Sequence, residues 1–339
     1  MKIRMLRAGF LTSVQDLGRN GSRRFGVSVG GALDAHALRV ANLLVGNDAS
    51  AAGLEVTFGG LHARFADERI VAWSGAEFDV RVGSTSLPAG HPVFVRDGEE
   101  LSIDRPRIGC RAWIAVSGGI DVPLILGSCS TDLRGNFGGL NGRALRDGDE
   151  LPLGERSGRS KVLIEKLREE KIARWKPPHD WSSPARREPV LRFIRGSDQN
   201  RFNAATFQRF TSEAFAVSPD SDRMGARLDD PELGRIDGAA EGCRSGAMEV
   251  GLISEAVAPG TIQLPPSGKP IILLGDCQTV GGYPKIAHVI TVDLPIAAQL
   301  RAGDQVRFRE VSLVDAHQLL LERERNLEQF RLGLQSHLS

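Results

Sequence analysis

RIVAWSGAEFDVRVGSTSLPAGHPVFVRDGEELSIDRPRIGCRAWIAV, residues 69–116, decides the fold class. Short apolar runs at Arg69–Trp73, Glu77–Val82, Pro92–Val95, Glu100–Ile103 and Arg111–Val116 are divided by Gly, Pro, Ser and Asp. Runs of that length between turn residues read as strands. Phe78-Asp79-Val80-Arg81-Val82 alternates apolar and polar, the period of a half-buried strand. The phrase Asp97-Gly98-Glu99-Glu100-Leu101 returns as Asp147-Gly148-Asp149-Glu150-Leu151, and in shortened form as Gly303-Asp304-Gln305-Val306. Asp-Gly supplies a turn with positive φ, and the residues after it open a strand. Copies close to the end of each half point to two related β-units.

Outward from this stretch, the composition agrees. The chain has 39 glycines and 17 prolines, more than the ~12% these residues contribute to an ordinary sequence. The excess punctuates short apolar runs, which favours many strands and tight turns over a helical bundle. At 339 residues the chain holds about two domains and can bury a sizeable core without metal or disulfide staples. Lys+Arg 43 against Asp+Glu 42 gives a net charge of +1, so charge offers no support for nucleic-acid or membrane-surface binding. No run approaches the ~18 apolar residues of a membrane span. The N-terminal MKIRMLRAGFLTSVQDLG lacks a signal-peptide core, so the chain is expected to be cytoplasmic. Cys110, Cys129, Cys243 and Cys277 show no metal or redox spacing and read as small buried hydrophobes.

Helices are few. Asp34 is placed to cap a helix over Ala35–Val45, with Leu33 and Leu38 as a staple and Gly46-Asn47 as its end. Ser197 or Asp198 is placed to cap a second, through Phe202, Ala205 and Phe207. From Leu313 the apolar positions 313, 316, 320, 327 and 334 predict an amphipathic helix. The charged, proline-rich stretch 156–188 reads as a solvated linker with one helical segment. The expected layout is a β-rich unit over 1–155, the linker, a β-barrel unit over 189–312 and a tail helix over 313–339.

Familiar catalytic signatures are absent: no GxxxxGK[ST], GxSxG or HExxH, and seven scattered histidines from which no triad assembles. No metal site is expected. What remains are polar clusters in glycine-rich turns. The first runs Thr12-Ser13-Val14-Gln15-Asp16-Leu17-Gly18-Arg19-Asn20-Gly21. The second joins Gly30-Gly31-Ala32-Leu33-Asp34 to Leu54-Glu55-Val56-Thr57-Phe58-Gly59-Gly60. The third is Gly127-Ser128-Cys129-Ser130-Thr131 with Gly138-Gly139 and Gly142-Arg143, and the fourth is Ser221-Asp222-Arg223-Met224-Gly225. The fifth is densest. After Gly260-Thr261-Ile262-Gln263, an apolar strand delivers Gly275-Asp276-Cys277-Gln278-Thr279 into Gly281-Gly282-Tyr283-Pro284, with the only tyrosine in the chain. Polar groups at a strand end, with backbone space around them, suit a small amide or carboxylate ligand. Asp276, Gln278 and Asp16 are the candidate catalytic residues. Gln15, Arg19, Ser128, Arg143, Asp222, Arg223, Gln263, Thr279 and Tyr283 are the candidate substrate-binding residues.

The ordered set TSVQDLGRNG, GGALDAHALRVANLLVGN, LEVTFGG, GSCSTDLRGNFGGLNGRALRDGD, SDRMGARL, PGTIQLPPSGKPIILLGDCQTVGGYPKIAHVI and AGDQVRF covers roughly residues 3–312. It closely resembles the biotin-dependent carboxyltransferase / allophanate hydrolase subunit 2 family, the group of the Kip-type antagonist protein and of the 5-oxoprolinase C-subunit. The resemblance implies two cyclophilin-like β-barrel units in a mainly β protein with a few helices. It implies a component of an ATP-dependent 5-oxoprolinase that acts with partners: a Kip-inhibitor-like protein (the B-subunit type of 5-oxoprolinase) and a LamB/YcsF-type protein. ATP with magnesium would then serve at the level of the complex. The alternatives are the carboxyltransferase part of a urea carboxylase and a non-catalytic Kip-type antagonist. No biotin-attachment Met-Lys-Met occurs, so covalent biotin on this chain is not expected. Two departures stand out: Cys277 where the family commonly has a basic residue, and Val29-Gly30 where Pro-Ser is usual.

Overall fold

The computed structural model describes residues 1–182, 185–233 and 253–338; Cys243 lies outside them. The chain divides into two compact units, residues 1–20 with 29–186 and 324–339, and residues 21–28 with 187–323. Each is built mainly from strands.

The first unit contains β1 (Lys2–Ala8), β2 (Leu11–Gln15), α1 (Ala35–Leu44), β3 (Gly53–Thr57), β4 (Leu61–Phe65), β5 (Arg69–Glu77), β6 (Val80–Val82), β7 (Thr85–Ser86), β8 (Val93–Val95), β9 (Glu100–Ile103), β10 (Ile108–Val116), β11 (Glu150–Pro152), α2 (Gly158–Glu170) and α3 (His179–Ser182). They form a six-stranded sheet, β11-β1-β4-β9-β6-β7, and a five-stranded sheet, β2-β3-β10-β5-β8. Alternation decides their stacking. Met5, Ala63, Leu101 and Val80 from the first sheet and Val14, Val56, Ile114 and Val71 from the second share one core. The opposite face of the five-stranded sheet offers Ile70, Ala72, Phe94 and Ala115 to Val40 and Leu44 of α1 and to Leu163, Ile164 and Leu167 of α2. Asp34 caps α1 as expected, its carboxylate accepting the Ala37 N–H at 2.8 Å.

The second unit contains β12 (Val190–Arg195), α4 (Ala204–Ser212), β13 (Phe215–Ala216), β14 (Gly225–Arg227), β15 (Glu255–Ala256), β16 (Thr261–Gln263), β17 (Ile271–Leu273), β18 (Val280–Gly281), β19 (Lys285–Val289), α5 (Leu294–Ala297) and β20 (Gln305–Glu310). Seven strands run β13-β20-β12-β19-β16-β17-β14. The two edges of this sheet meet. Val217 bridges Leu228, the Ser218 N–H donates to Arg227 O at 2.8 Å and the Asp229 N–H to Ala216 O at 2.9 Å. Among the described residues these contacts close the sheet on itself. Phe193, Phe210, Phe215 and Phe308 fill it, with the Phe210 and Phe308 rings stacked at 4.5 Å.

The three turn phrases behave alike: Gly98, Gly148 and Gly303 have φ of 78°, 87° and 86°, and β9, β11 and β20 follow them. Two readings of the sequence are corrected. The stretch after Glu155 is no solvated linker over its first half. Ser157 caps α2 by accepting the Ser160 N–H, and Leu163, Ile164 and Leu167 enter the core of the first unit. The helix around Phe207 starts late, at Ala204, and its cap is Asn203 rather than Ser197 or Asp198. The tail helix α6 (Leu313–Leu338) is present, and its residues from Glu324 belong to the first unit. No described helix is long and apolar enough to cross a membrane.

Candidate functional site

In the first unit, the Gln15–Asn20 turn and the Gly127–Thr131 turn are tied together by Asp16. Its Oδ1 accepts from Ser128 Oγ at 2.6 Å, Ser130 Oγ at 2.6 Å and the Gly18 N–H at 2.8 Å, and its Oδ2 accepts from the Cys129 N–H at 2.6 Å. Arg19 is fully buried, donates to Ser130 O and lies over the Phe137 ring at 4.6 Å. Gly138 is required here, since a Cβ at this position would fall 2.1 Å from Ser130 O and 2.3 Å from the Arg19 guanidinium. Gln15 donates to Ser13 Oγ and Thr131 O, while its buried Oε1 has no hydrogen-bond partner among the described residues. A cavity of about 500 Å³ opens beside this knot, lined by Asp16, Gly18, Ser50, Gly119, Leu124 and Cys129. Cys129 is therefore only half-buried, against expectation, and burial together with Asp16 and Asp121 pushes its thiol up. A thiol held protonated is a poor nucleophile.

Beside that knot lies a polar row in which Ser13 and Glu55 belonged to quoted clusters. Glu55, nearly fully buried, accepts the Leu33 N–H and the Trp113 Nε1–H, both at 2.9 Å, with Arg111 Nε 3.8 Å away. Ser13, Glu55 and Trp113 stand opposite one another in register. Glu55 thus anchors the Gly30–Asp34 turn ahead of α1. Arg143 serves another turn, making two bonds to the Asp149 carboxylate at 2.7 and 2.9 Å.

In the second unit, the fifth cluster and the Asp222-Arg223 turn are brought together. Arg223 grips Asp276 with both ends of its guanidinium, Nε to Oδ2 at 2.8 Å and Nη2 to Oδ1 at 3.0 Å. Both side chains are buried, and the Asp276 N–H donates to Arg223 O. Asp222 closes its own turn by accepting the Met224 and Gly225 N–H groups. The half-buried Gln278 donates to Gln263 Oε1 at 3.4 Å, and Gln263 donates to Tyr283 O at 3.3 Å. A Cβ on Gly281 would sit 2.6 Å from the Gln263 amide nitrogen, so the Gly-Gly turn makes room for the two amides. Thr279 accepts the Val257 N–H through its carbonyl, and Tyr283 is exposed.

Three further groups were not singled out from the sequence. Lys285, at the start of β19, is buried and donates to Glu255 at 2.8 Å, with Asp198 at 3.1 Å. Burial opposes its charge, but the two carboxylates outweigh that and raise its pKa. His288 is pushed down, by burial first and by Lys285 second. Arg23 acts on Cys277, whose thiol burial pushes up to about 11.

The barrel unit thus carries a pair of glutamine amides at a strand end, and the other unit a cavity beside Asp16. The family described as the carboxyltransferase domain, subdomains A and B, matches residues 25–310, and the chain belongs to it. It is 38% identical to the 5-oxoprolinase C-subunit of Escherichia coli, over 96% of this chain and 97% of that protein. It is 32% identical to the urea amidolyase of Saccharomyces cerevisiae, over 92% of this chain but 17% of that protein. The solved urea carboxylase of Kluyveromyces lactis superposes with a TM-score of 0.84 at 27% identity, covering 97% of this chain and 29% of that one.

Proposed function

We propose that this chain is a subunit of an ATP-dependent 5-oxoprolinase and binds a small lactam or amide at polar, glycine-rich loops. One observation supports this above the others. The chain and the Escherichia coli 5-oxoprolinase C-subunit match along nearly the whole of both, whereas it corresponds to a sixth of a urea amidolyase. The chemistry of the Gln263–Gln278 pair agrees. A carboxamide edge presents one acceptor and one donor, the complement of a lactam N–H and C=O. Asp16 and Asp276 have their oxygens engaged by neighbours, so we assign them to holding their loops, with Gln278 touching substrate.

ATP would supply the activation of the lactam carbonyl. We place it at the level of the complex, because the one Gly-Lys turn of the sequence does not fit a triphosphate. Lys269 there faces Asp229 at 3.6 Å and Glu232 at 4.0 Å, and acidic neighbours repel phosphate. The partners we propose are a Kip-inhibitor-like subunit and a LamB/YcsF-type subunit. The second reading, carboxyl transfer to urea, draws on the superposition with a urea carboxylase.

The test is glutamate release from 5-oxoproline and ATP, assayed with the chain alone, with one partner and with both. Activity is expected only from the full set. Gln278→Ala should lower kcat/KM at least about tenfold while shifting the melting temperature little, since a half-buried amide contributes little to packing. Transfer of carboxyl from added carboxybiotin to urea by the full set, with biotin released and no glutamate formed, would transfer the assignment to the second reading.

A further inference from the structure

Lys285 stands opposite Gln263 in the antiparallel β16–β19 register. Residues paired in this way project from the same face, with Cβ atoms about 5 Å apart. The Lys285 ammonium donates to Glu255 Oε2 at 2.8 Å, and Glu255 in turn stands opposite Gly281 in the β15–β18 pair. A Cβ on Gly281 would meet the amide nitrogen of Gln263 at 2.6 Å and that of Gln278 at 3.4 Å. The lysine, the glutamate and the two carboxamides therefore form one contiguous group within the second unit.

The two counter-ions of Lys285 are not equivalent. Asp198 is only 14% exposed, and its Oδ2 takes both the Lys285 N–H at 2.8 Å and the ammonium at 3.1 Å. Glu255 is 60% exposed, although the lysine side chain it covers is 8% exposed. Asp198 is thus fixed by backbone and side chain together. Glu255 is a water-facing cover, and a solvent-screened pairing of that kind is cheap to break. An incoming carboxylate that takes its place leaves the charge of the group unchanged and the ammonium paired, so no buried cation is stranded. Arg223 does not offer the same exchange, because it and its partner Asp276 are both buried.

We propose that Lys285 is the carboxylate-binding residue of the Gln263–Gln278 site and that Glu255 is its resting counter-ion, displaced when a ligand's carboxylate docks. The ligand's lactam edge then meets Gln278. Its acid group, carried on the carbon next to the lactam nitrogen, meets the ammonium. The assignment rests on the functional reading above for the kind of ligand and adds the groups that set its specificity. Glu255 competes with every anion that approaches, so a ligand must bring the amide edge and the carboxylate together.

The experiment is equilibrium titration of the purified chain, and of the assembled complex, with 5-oxoproline and with its neutral carboxamide. The unmodified protein is expected to prefer the acid by roughly tenfold, the scale of a hydrogen bond to a charged group. Glu255→Gln should tighten the acid about fivefold, the scale of one exposed ion pair, and leave the carboxamide unchanged. A damaged fold cannot produce that gain. Lys285→Met should abolish the preference, and Lys285→Arg should keep part of it, because the charge remains while its shape changes. Equal binding of acid and carboxamide, an undiminished preference in Lys285→Met, acid binding in Glu255→Gln that is unchanged or weaker, or binding of neither ligand in either preparation would overturn the assignment. Discrimination in a complex that releases no glutamate would instead overturn the functional reading and leave Lys285 in place.

Discussion

Asp16 accepts four hydrogen bonds, from Gly18, Ser128, Cys129 and Ser130, and a carboxylate so engaged works as a clamp between two turns. Asp16→Asn replaces one acceptor oxygen by a donor that must face hydroxyl or amide hydrogens. The buried site offers those groups little water in exchange. A loss of about 2–4 kcal/mol in unfolding free energy is expected, measured by urea titration, since bonds to a charged group are the stronger kind. An unchanged midpoint would show that Asp16 has acceptors to spare. The Arg223–Asp276 pair obeys the same logic with larger stakes. Both partners are buried, so removing either strands the other's charge.

The elements legible in the sequence are those whose signal is local. The strands between Arg69 and Val116 and the Asp34 cap follow from alternation, turn residues and one side-chain hydrogen bond. Helix α2 is harder to read, because Leu163, Ile164 and Leu167 sit among Lys, Arg and Glu that dilute the stripe. Asp198 has the look of a helix cap, yet it accepts from the Lys285 N–H of the neighbouring strand β19, a partner no local reading supplies. The same holds for the candidate site. Asp276, Gln278, Gln263 and Arg223 are visible as polar clusters, whereas Lys285 acquires meaning only through contacts made by folding. At this scale α2 and the end of α6 yield a prediction. Leu327 and Leu334 pack with Leu163, Val40 and Leu44, so Leu327→Ala should cost about 2–4 kcal/mol, as truncations in packed cores do. A melting temperature within a degree of the parent would mean that the tail contributes no core.

Across the whole molecule, the titrating groups predict a plateau of stability with a defined acid edge. Glu99 and Asp149 are only partly exposed. For Glu99, burial works against the charge, but the Arg96 N–H and Lys171 outweigh it and lower the pKa. For Asp149, the bond from Arg143 does so first. Their stability is complete above the unfolded carboxylate range of about 4 and is lost as pH falls through the lowered folded values. The exposed carboxylates at Glu150, Glu213 and Glu328 are lowered as well, but solvent screening leaves them little weight. His288 acts earlier with the same sign. Its folded pKa is depressed, so the unfolded chain takes up that proton first as pH drops below about 6.5, and stability declines from there. On the alkaline side Lys285 is raised; its contribution holds below the unfolded value of about 10.4 and disappears as pH rises through the folded one. Melting temperature followed from pH 2 to 11 should therefore be flat between about 7 and 8.5, decline above that as the unfolded chain releases the thiol protons that folded Cys129 and Cys277 keep, and show a shallow shoulder near 6 and a steeper fall below about 4. His288→Asn should remove the shoulder and leave the steeper fall. A shoulder of equal size in that variant would assign the early loss to a different group.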